Sequence, residues 1–407
     1  MITIIGGGAS GMVAAIAARR NGADVRIIER LNRIGKKILT TGNGRCNMTN
    51  TNMSGKKYHS STYSDFDSVL SRFDEKQVLE FFSELGIMHL IEGTKVYPMS
   101  EQASSVVDVL RMELERLDIE VISDTLIIDI KKKKSGWLLI DSEGNGYETD
   151  KVIVATGGMA NNALGCDGTG YKLLQGLGHT LIKPLPVLVH LTSSSPYPKM
   201  MKGTRVIAKA KILADGKFLR EETDEVLFTE DGVSGPCIFL LSSQASRALG
   251  KKQNVVMLLD MLPNMSGDEL VSILYERINN HPERTIEYLL LGMINKRISI
   301  PIMKMADIKC QTRRLDELEY DEIERIVKAI KAFRIEIDGT RSFKFAQATA
   351  GGINMKEIDT NTMLSKLAKN VYITGEVMDV DGDCGGYNLQ WAWTTGYIAG
   401  VSAAQCN

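Results

Sequence analysis

A glycine-rich turn near the start of the chain carries the clearest chemical signal in this sequence. Residues 2–5 form a short apolar stretch that runs into Gly6-Gly7-Gly8-Ala9-Ser10-Gly11. A helix of small residues is predicted next, and a second apolar stretch then ends on the acid Glu29. Strand, glycine turn, helix, strand and acid follow one another in the order that binds a dinucleotide.

Each residue type in this turn has a physical reason to stand where it does. Gly6 permits the tight turn, Gly8 lets the backbone approach a pyrophosphate, and Gly11 lets the helix pack closely on the strand. The free amides at the helix start then stabilise the phosphate charge. The oxygens of Glu29 can accept both hydroxyls of an adenosine ribose. Glycine turns also end ordinary strands, so the complete order of elements is what favours a dinucleotide site.

Two further segments favour FAD over NAD. Residues 35–47 (GKKILTTGNGRCN) combine glycines with three cations, which suits a pyrophosphate and a ribityl chain. Near the other end, a predicted strand ends in Gly375-Glu376, and residues 385–390 (GGYNLQ) open the last predicted helix. Amides after Gly386 can stabilise negative charge on the N1 and O2 edge of a reduced flavin. Either segment alone is also compatible with a glycine-rich surface turn.

Composition indicates a globular protein but no particular macromolecular partner. The chain has 407 residues, of which 43% are hydrophobic and 24% charged, and its formal net charge is −1. This length allows two or three domains, and the neutral balance gives no sign of a nucleic acid or a membrane as partner. No apolar run approaches the roughly 18 residues of a membrane span. Because residues 2–5 also lack a basic leader, we expect a cytoplasmic location.

The six cysteines do not suggest a redox pair or a metal site. They are scattered through the sequence without a C-x-x-C pair, so the dithiol of flavin disulfide reductases and a metal centre are not expected. We expect free thiols in a reducing compartment. The cysteines are Cys46, Cys166, Cys237, Cys310, Cys384 and Cys406.

The first part of the chain reads as a nucleotide-binding domain. Asp74 and Gln77 form a capping box that begins a predicted helix, and a second helix is predicted over residues 101–117. Residues 151–156 are typical of a fully buried parallel strand. The last helix is predicted over residues 388–404.

A long insertion interrupts this domain. Short strands are predicted to dominate residues 189–262, where several prolines mark the turns between them. A capping box at Ser266 and Glu269 then begins a helical stretch. We therefore predict three parts: residues 1–188 and 345–407 form a discontinuous α/β domain, 189–265 plus 336–344 an inserted β domain, and 266–335 a helical subdomain.

Five segments together resemble the aminoacetone-oxidase-type FAD-binding oxidoreductases, a family that includes bile-acid 3-dehydro-Δ4,6-reductases. The segments are the glycine turn, GKKILTTGNGRCNMTN (35–50), VIVATGG (152–158), AQATAGGI (346–353) and YITGEVMDVDGDCGGYNLQWAWTTGYIAG (372–400). The resemblance implies a glutathione-reductase-like, Rossmann-type FAD-binding domain with an inserted β-barrel-like domain.

The resemblance also implies the residues that hold FAD. Carried onto matching positions, the implied contacts are Gly6, Gly8, Ser10, Gly11, Glu29, Lys37, Arg45, Gly157, Gly375, Glu376, Gly386, Asn388 and Leu389. The same segments add Ala9, Arg30, Lys36, Gly42, Cys46, Asn47, Thr156, Gly158 and Tyr387, and the backbone near Leu126 is expected to meet the adenine. No second glycine fingerprint is visible, so NAD(P)H is expected at most as a transient electron donor. Residues 165–170 are expected to help close the flavin site.

Few residues are candidates for substrate chemistry. Tyr387 could donate a proton to a developing enolate, although a packed tyrosine fits equally well. Arg45 could polarise a carbonyl, although contact with the FAD pyrophosphate is simpler. His190 could line a substrate cleft, although a hydrogen-bonded core histidine is the plainer interpretation.

Three functions therefore stay open at this point. The favoured one is reduction of the C=C bond of an enone, such as a 3-oxo-Δ4 steroid or bile acid, by hydride from reduced flavin. The alternatives are an amine oxidase of the aminoacetone type that uses oxygen, and a non-catalytic flavin-binding protein. A small-molecule substrate is expected, and the oligomeric state stays open.

Overall fold

The computed structural model describes residues 1–310 and 312–405, so Cys406 lies outside the described residues. The chain divides into two compact units, which we describe separately. One unit comprises Met1–Pro186 together with the chain from Phe343 onward, and the other comprises Val187–Ser342. The three-part division predicted from the sequence stays a prediction.

The helices of the described residues are α1 Ala9–Arg20, α2 Phe66–Leu70, α3 Glu75–Glu84, α4 Ala103–Arg116, α5 Thr169–Gly176, α6 Pro196–Met200, α7 Pro236–Gly250, α8 Gly267–Asn280, α9 Lys296–Met305, α10 Tyr320–Lys331 and α11 Tyr387–Gln405. The strands are β1 Ile2–Ile5, β2 Val25–Ile28, β3 Thr49–Asn50, β4 Tyr58–His59, β5 His89–Glu92, β6 Lys95–Pro98, β7 Glu120–Ile122, β8 Ile127–Lys132, β9 Trp137–Asp141, β10 Gly146–Thr149, β11 Lys151–Val154, β12 Leu181–Val187, β13 Leu191–Thr192, β14 Arg205–Ala214, β15 Lys217–Phe228, β16 Gly232–Ser234, β17 Val255–Asp260, β18 Phe333–Ile337, β19 Gly339–Thr340, β20 Ala348–Ile353, β21 Ile358–Asp359, β22 Leu364–Ser365, β23 Val371–Ile373 and β24 Asp381–Gly382.

A seven-stranded sheet organises the first unit, with strand order β21-β22-β23-β11-β1-β2-β7. Strands β23, β11, β1, β2 and β7 are parallel. Ile2 pairs with Lys151 on one side and Val25 on the other, so the first strand lies in the middle of the sheet. Loops that follow parallel strands meet at one edge, which is where open α/β sheets bind ligands. The glycine turn, Glu29 and residues 155–158 all follow these strands.

The two ends of the chain meet where α1 packs on α11. A Cβ atom added to Gly396 would lie 2.4 Å from the Ser10 carbonyl oxygen, and one added to Gly400 would lie 2.3 Å from that of Ala14. Small residues therefore let the two helix backbones approach directly. This contact fixes the start of α1 relative to the C-terminal helix.

The second unit contains another seven-stranded sheet, with order β18-β17-β14-β15-β16-β13-β19 and antiparallel neighbours. The prediction that short strands dominate residues 189–262 is wrong over Pro236–Gly250, which form α7. Proline is favoured in the first helical turn because its φ angle is preset, and Ile238, Leu241 and Ala245 face the core. The helical spacing of these apolar residues is present in the sequence, and Pro236 begins a helix rather than separating two strands.

Several other local predictions are confirmed. Asp74 and Gln77 form the predicted capping box at the start of α3, and Ser266 and Glu269 do the same at α8. Residues 151–154 form a buried parallel strand. No helix among the described residues is long and apolar enough to cross a membrane.

Candidate functional site

A cavity lies at the edge of the parallel sheet, where β1, β2 and β11 end. It spans about 1210 Å³, part of it open to solvent, and its walls come from the first unit. The predicted cofactor residues that line it are Gly6, Gly8, Ala9, Ser10, Glu29, Arg30, Lys36, Lys37, Leu126, Thr156, Gly157, Glu376, Asn388 and Leu389. Residues from both ends of the chain thus share one cavity.

The start of α1 faces this cavity with unused hydrogen-bond donors. Gly8 is the N-cap residue, and no side chain caps the helix. The amides of the first helical turn have no partner within the helix. A Cβ atom added to Gly8 would find no atom within 4 Å, so the space in front of the helix is open. Open space, free amides and the positive end of the helix dipole suit a phosphate group.

Gly6 and Gly11 hold the turn in shape. Gly6 has φ +105°, a conformation that favours glycine, and a Cβ atom there would lie 2.5 Å from the Ala155 carbonyl oxygen. A Cβ atom on Gly11 would lie 1.9 Å from the Gly6 carbonyl oxygen. Neither position tolerates a side chain without movement of the backbone.

Glu29 lies buried at the end of β2 with its carboxylate held in place. Its Oε2 accepts a hydrogen bond from the amide of Gly7 at 2.8 Å, and its Oε1 accepts one from the amide of Leu31 at 2.8 Å. Burial raises the pKa of Glu29, although these two amides oppose the rise. Because a carboxylate offers about four lone-pair sites, each oxygen can accept one further hydroxyl.

An ion pair between Lys37 and Glu376 lines the same cavity. Burial alone would lower the pKa of Lys37, but the adjacent Glu376 carboxylate outweighs burial and raises it, so the ammonium group stays charged. Glu376 also accepts a hydrogen bond from the amide of Thr349 at 2.8 Å. The pair joins residues 339 positions apart in the sequence.

One buried hydroxyl in the cavity wall lacks a partner. Thr156 Oγ1 has no hydrogen-bond partner among the described residues, and Thr156 lines the cavity. Buried polar groups in folded proteins are nearly always hydrogen-bonded. A polar ligand in the cavity would give this hydroxyl a partner.

The remaining predicted cofactor residues lie outside this lining: Gly11, Gly42, Arg45, Cys46, Asn47, Gly158, Gly375, Gly386 and Tyr387. Several glycines among them serve close packing. A Cβ atom would lie 2.5 Å from Ser10 Oγ at Gly375, and 2.6 Å from the Thr49 carbonyl oxygen at Gly386. These two glycines let the C-terminal segments press against α1 and β3.

Arg45 points to the outer side of its loop rather than to the cavity. Its guanidinium lies 4.1 Å above the ring of Tyr97 and pairs with Glu92 and Glu101. The Glu92 carboxylate, through its hydrogen bonds with Arg45, raises the pKa of that guanidinium further. In this geometry Arg45 ties its loop to β5 and β6. Burial raises the pKa of the neighbouring Cys46 thiol to about 12, so that thiol is unreactive.

Tyr387 and His190 are packed side chains. Tyr387 is buried, and its hydroxyl donates to the Asn52 carbonyl oxygen at 3.2 Å. Burial raises the pKa of Tyr387, so the phenol stays protonated. His190, in the second unit, stacks on Phe239 with ring centroids 5.7 Å apart, and its Nδ1 has no hydrogen-bond partner among the described residues. The alternative of a hydrogen-bonded core histidine is thus not supported at Nδ1.

Sequence reasoning missed several residues of the cavity wall. Gly7 lines the cavity but is not among the predicted residues. A Cβ atom on Gly7 would lie 2.3 Å from Ile34 Cγ2. Gln347 and Ala348 also line the cavity. Both belong to the AQATAGGI segment, so the motif was visible but gave no indication of which side chains face a ligand. Asp167 and Cys166 line it as well, as the glycines of residues 165–170 suggested.

Comparison with known proteins places the chain in a family. The model of a family described as HI0933-like protein Rossmann domain matches residues 1–402. The chain belongs to the HI0933-like family. It is 38% identical over 407 residues to a 3-dehydro-bile acid Δ(4,6)-reductase of Clostridium scindens, with 99% of each chain covered. It is 28% identical over 396 residues to a ribosomal RNA dihydrouridine synthase of Escherichia coli, covering 97% of this chain and 95% of that one.

A solved structure is similar in fold. A quinol-fumarate reductase matches with a TM-score of 0.50 at 16% identity, covering 99% of this chain and 70% of that one. The predicted family and the Rossmann-type FAD-binding fold are therefore confirmed. As a member of the HI0933-like family, the chain is an FAD-dependent oxidoreductase.

The residues around the cavity fit FAD. The open space before Gly8, the carboxylate of Glu29 and the unpartnered hydroxyl of Thr156 are polar or open features that a dinucleotide requires. Asn388 and Leu389 bring the start of α11 to the wall. Among the described residues, no group of three or more His, Cys, Asp and Glu side chains is arranged to hold a metal ion.

Proposed function

We propose that this protein reduces a C=C bond conjugated to a carbonyl group in a 3-oxo-Δ4 steroid or bile acid, with NAD(P)H as a transient electron donor. The observation that carries the proposal is the 38% identity to the bile-acid Δ(4,6)-reductase along 99% of both chains. The identity to the dihydrouridine synthase of Escherichia coli is lower, at 28%, so the proposal follows the bile-acid reductase.

Reduction of an enone has three chemical requirements. Hydride must reach the β-carbon of the enone, negative charge must be stabilised on the carbonyl oxygen, and a proton must be added to the α-carbon. Bound FAD supplies the hydride chemistry. The protein must hold the cofactor rigidly, orient the substrate and keep bulk water away.

The residues of the cavity would hold the cofactor by direct contacts. We assign the pyrophosphate to the first-turn amides of α1, and the adenosine ribose to Glu29, whose two oxygens are already oriented by backbone amides. We assign Lys37 and Glu376 to the polar chain between the two ends of FAD. The ion pair would fix their side chains before the cofactor arrives, which lowers the entropy cost of binding.

We do not assign proton donation to Tyr387 or Arg45. The Tyr387 hydroxyl donates its hydrogen bond to the Asn52 carbonyl oxygen. The Arg45 guanidinium donates to the carboxylates of Glu92 and Glu101. We assign both residues to support: Tyr387 at the start of α11, and Arg45 between its loop and the β5–β6 hairpin.

A second candidate is reduction of uracil in ribosomal RNA. It is favoured by the relatives named dihydrouridine synthases, which match 97% and 99% of this chain. The C5=C6 bond of uracil is also conjugated to a carbonyl, so the electronic demand on the site is the same. The net charge of −1 gives no support for a polyanionic substrate.

The two candidates are separated by reoxidation of the reduced protein. The FAD-loaded protein is photoreduced without oxygen and mixed with a 3-oxo-Δ4 bile acid, with unmodified ribosomal RNA, or with oxygen alone. We expect rapid, saturable return of the oxidised flavin spectrum with the bile acid, and a product that has gained two hydrogen atoms by mass spectrometry.

A saturated 3-oxo bile acid is the matched control, since it keeps the carbonyl and lacks the double bond. It should leave the flavin reduced. Turnover of ribosomal RNA alone would replace the first candidate with the second. Reoxidation by oxygen alone, without a reduced product, would refute both.

A further inference from the structure

A short segment beside the cavity has the properties of a movable strap. Residues 161–168, here called the strap, connect the loop after β11 to α5. Asn161, Gly165 and Gly168 have φ angles of 57°, 93° and 83°, so the backbone reverses repeatedly in the left-handed region. The one helical turn of the strap, Asn162–Leu164, contains no buried residue.

The strap contacts the opposite wall of the cavity through few groups. Leu164, Gly165, Cys166 and Asp167 line the cavity together with Arg30 and Leu31. A Cβ atom on Gly165 would lie 3.0 Å from Leu31 Cδ1, so the strap backbone rests on the chain that follows β2.

One ion pair joins the two sides. Arg30 Nη1 lies 2.5 Å from Asp167 Oδ2, and the two side chains are 29% and 36% exposed. The other oxygen of Asp167 accepts hydrogen bonds from the amide and hydroxyl of Thr169, which fixes the carboxylate at the start of α5. Asp167 is therefore oriented from the helix side, and its ion pair with Arg30 crosses the cavity edge.

We propose that the strap opens and closes over the cofactor, and that the Arg30–Asp167 ion pair holds it closed and sets the rate at which FAD leaves. A segment with little buried apolar surface opens at low cost. A partly exposed ion pair stabilises the closed position of the strap only slightly. The inference rests on the proposed position of FAD in this cavity.

The thiol of Cys166 can report whether the strap is open or closed. The residue is 8% exposed and its thiol lies against the backbone, since a Cβ atom on Gly157 would be 2.9 Å from Cys166 Sγ. Opening the strap exposes this thiol to solvent. Cys310, which is exposed in the second unit, serves as an internal control.

The test is Asp167→Asn, which keeps an oxygen able to accept from Thr169 and removes the charge. We expect FAD to dissociate two- to fivefold faster, measured by the rise of free-flavin fluorescence after dilution. Alkylation of Cys166 in the apoprotein, measured by peptide mass spectrometry, should accelerate by the same factor, while alkylation of Cys310 stays unchanged. Asp24→Asn, which breaks a similar exposed ion pair with Arg19, should change neither rate.

Arg30→Gln and the double variant Arg30→Gln with Asp167→Asn complete a double-mutant cycle. If the ion pair is the cause, the double variant should release FAD no faster than either single variant. Faster FAD release in Asp167→Asn with unchanged Cys166 alkylation would mean that Asp167 contacts FAD directly, and would overturn the proposal. Unchanged rates in both assays would also overturn it. If added FAD fails to protect Cys166 although Asp167→Asn accelerates its alkylation, the position of FAD is wrong while the strap moves as proposed.

Discussion

The substitution Gly8→Ala separates cofactor binding from folding. Gly8 has φ −83° and ψ −166°, which alanine adopts freely, and an added Cβ atom meets no protein atom within 4 Å. Replacing a compatible glycine stabilises a protein by about 0.4–1 kcal/mol, whereas alanine is a poorer N-cap than glycine by a few tenths of a kcal/mol or more. The two effects offset, so the free energy of unfolding of the apoprotein should change by less than about 0.5 kcal/mol.

FAD binding should respond very differently, because the new methyl group stands where the pyrophosphate must approach. A lost hydrogen bond to a charged group costs about 1.5–3 kcal/mol, which corresponds to a rise of about 10- to 150-fold in the dissociation constant. Flavin fluorescence titration measures the affinity, and urea unfolding of the apoprotein measures the stability. Gly176→Ala is the matched control, since its Cβ atom also meets nothing within 4 Å. Wild-type affinity in Gly8→Ala would refute the assignment of the pyrophosphate.

Three further predictions follow from the charged groups. Glu29→Gln should weaken FAD binding about tenfold, and wild-type affinity should fall as pH drops through the raised pKa of Glu29, since a protonated carboxyl loses an acceptor. Lys37→Met should weaken FAD binding because it leaves Glu376 without its cation. Hydrogen bonds from Arg116 chiefly lower the pKa of the nearly buried Glu113, so Glu113→Gln should lower the free energy of unfolding by about 1–3 kcal/mol at pH 7.

The sign of the pH effect at Glu113 follows from its lowered pKa. The stabilisation is present above the ordinary glutamate value and is lost as pH falls through the folded-state pKa, so wild type and Glu113→Gln should converge in acid. Urea unfolding at pH 7 and at a series of lower pH values that extends below the folded-state pKa tests this. For the cofactor variants, fluorescence titration from pH 4 to 8, a range that begins below the ordinary glutamate pKa, with Lys131→Met as a surface control is sufficient. A flat pH profile for FAD binding would contradict the assignment of the ribose to Glu29.

The sequence alone predicted the parts of the fold that depend on short-range rules. Glycines at residues 6 and 11, capping boxes at Asp74 and Ser266, and the apolar strand at residues 151–154 each follow from local sterics or hydrogen bonding, and the structure places them as expected. Helix α7 departs from the prediction because proline is also favoured in a first helical turn, so Pro236 does not by itself distinguish a helix start from a break between strands.

The side chains that face the cavity could not be derived in the same way. Cys46 and Asn47 belong to one glycine-rich segment with Lys36 and Lys37, yet the two lysines line the cavity and Cys46 and Asn47 do not. Which way each side chain turns depends on left-handed residues such as Asn43 and Cys46, with φ 57° and 61°, whose conformation is set by contacts distant in sequence. The partner of Lys37, 339 residues away, is likewise a property of the folded chain.

The central claim is that the first glycine turn and the C-terminal helix hold one FAD between them. A crystal structure of the protein with FAD tests it most directly. We predict the pyrophosphate before the first turn of α1, the adenosine ribose on Glu29, and the isoalloxazine ring beside the start of α11. Density for FAD elsewhere, or a protein that stays colourless after incubation with excess FAD, would contradict the account.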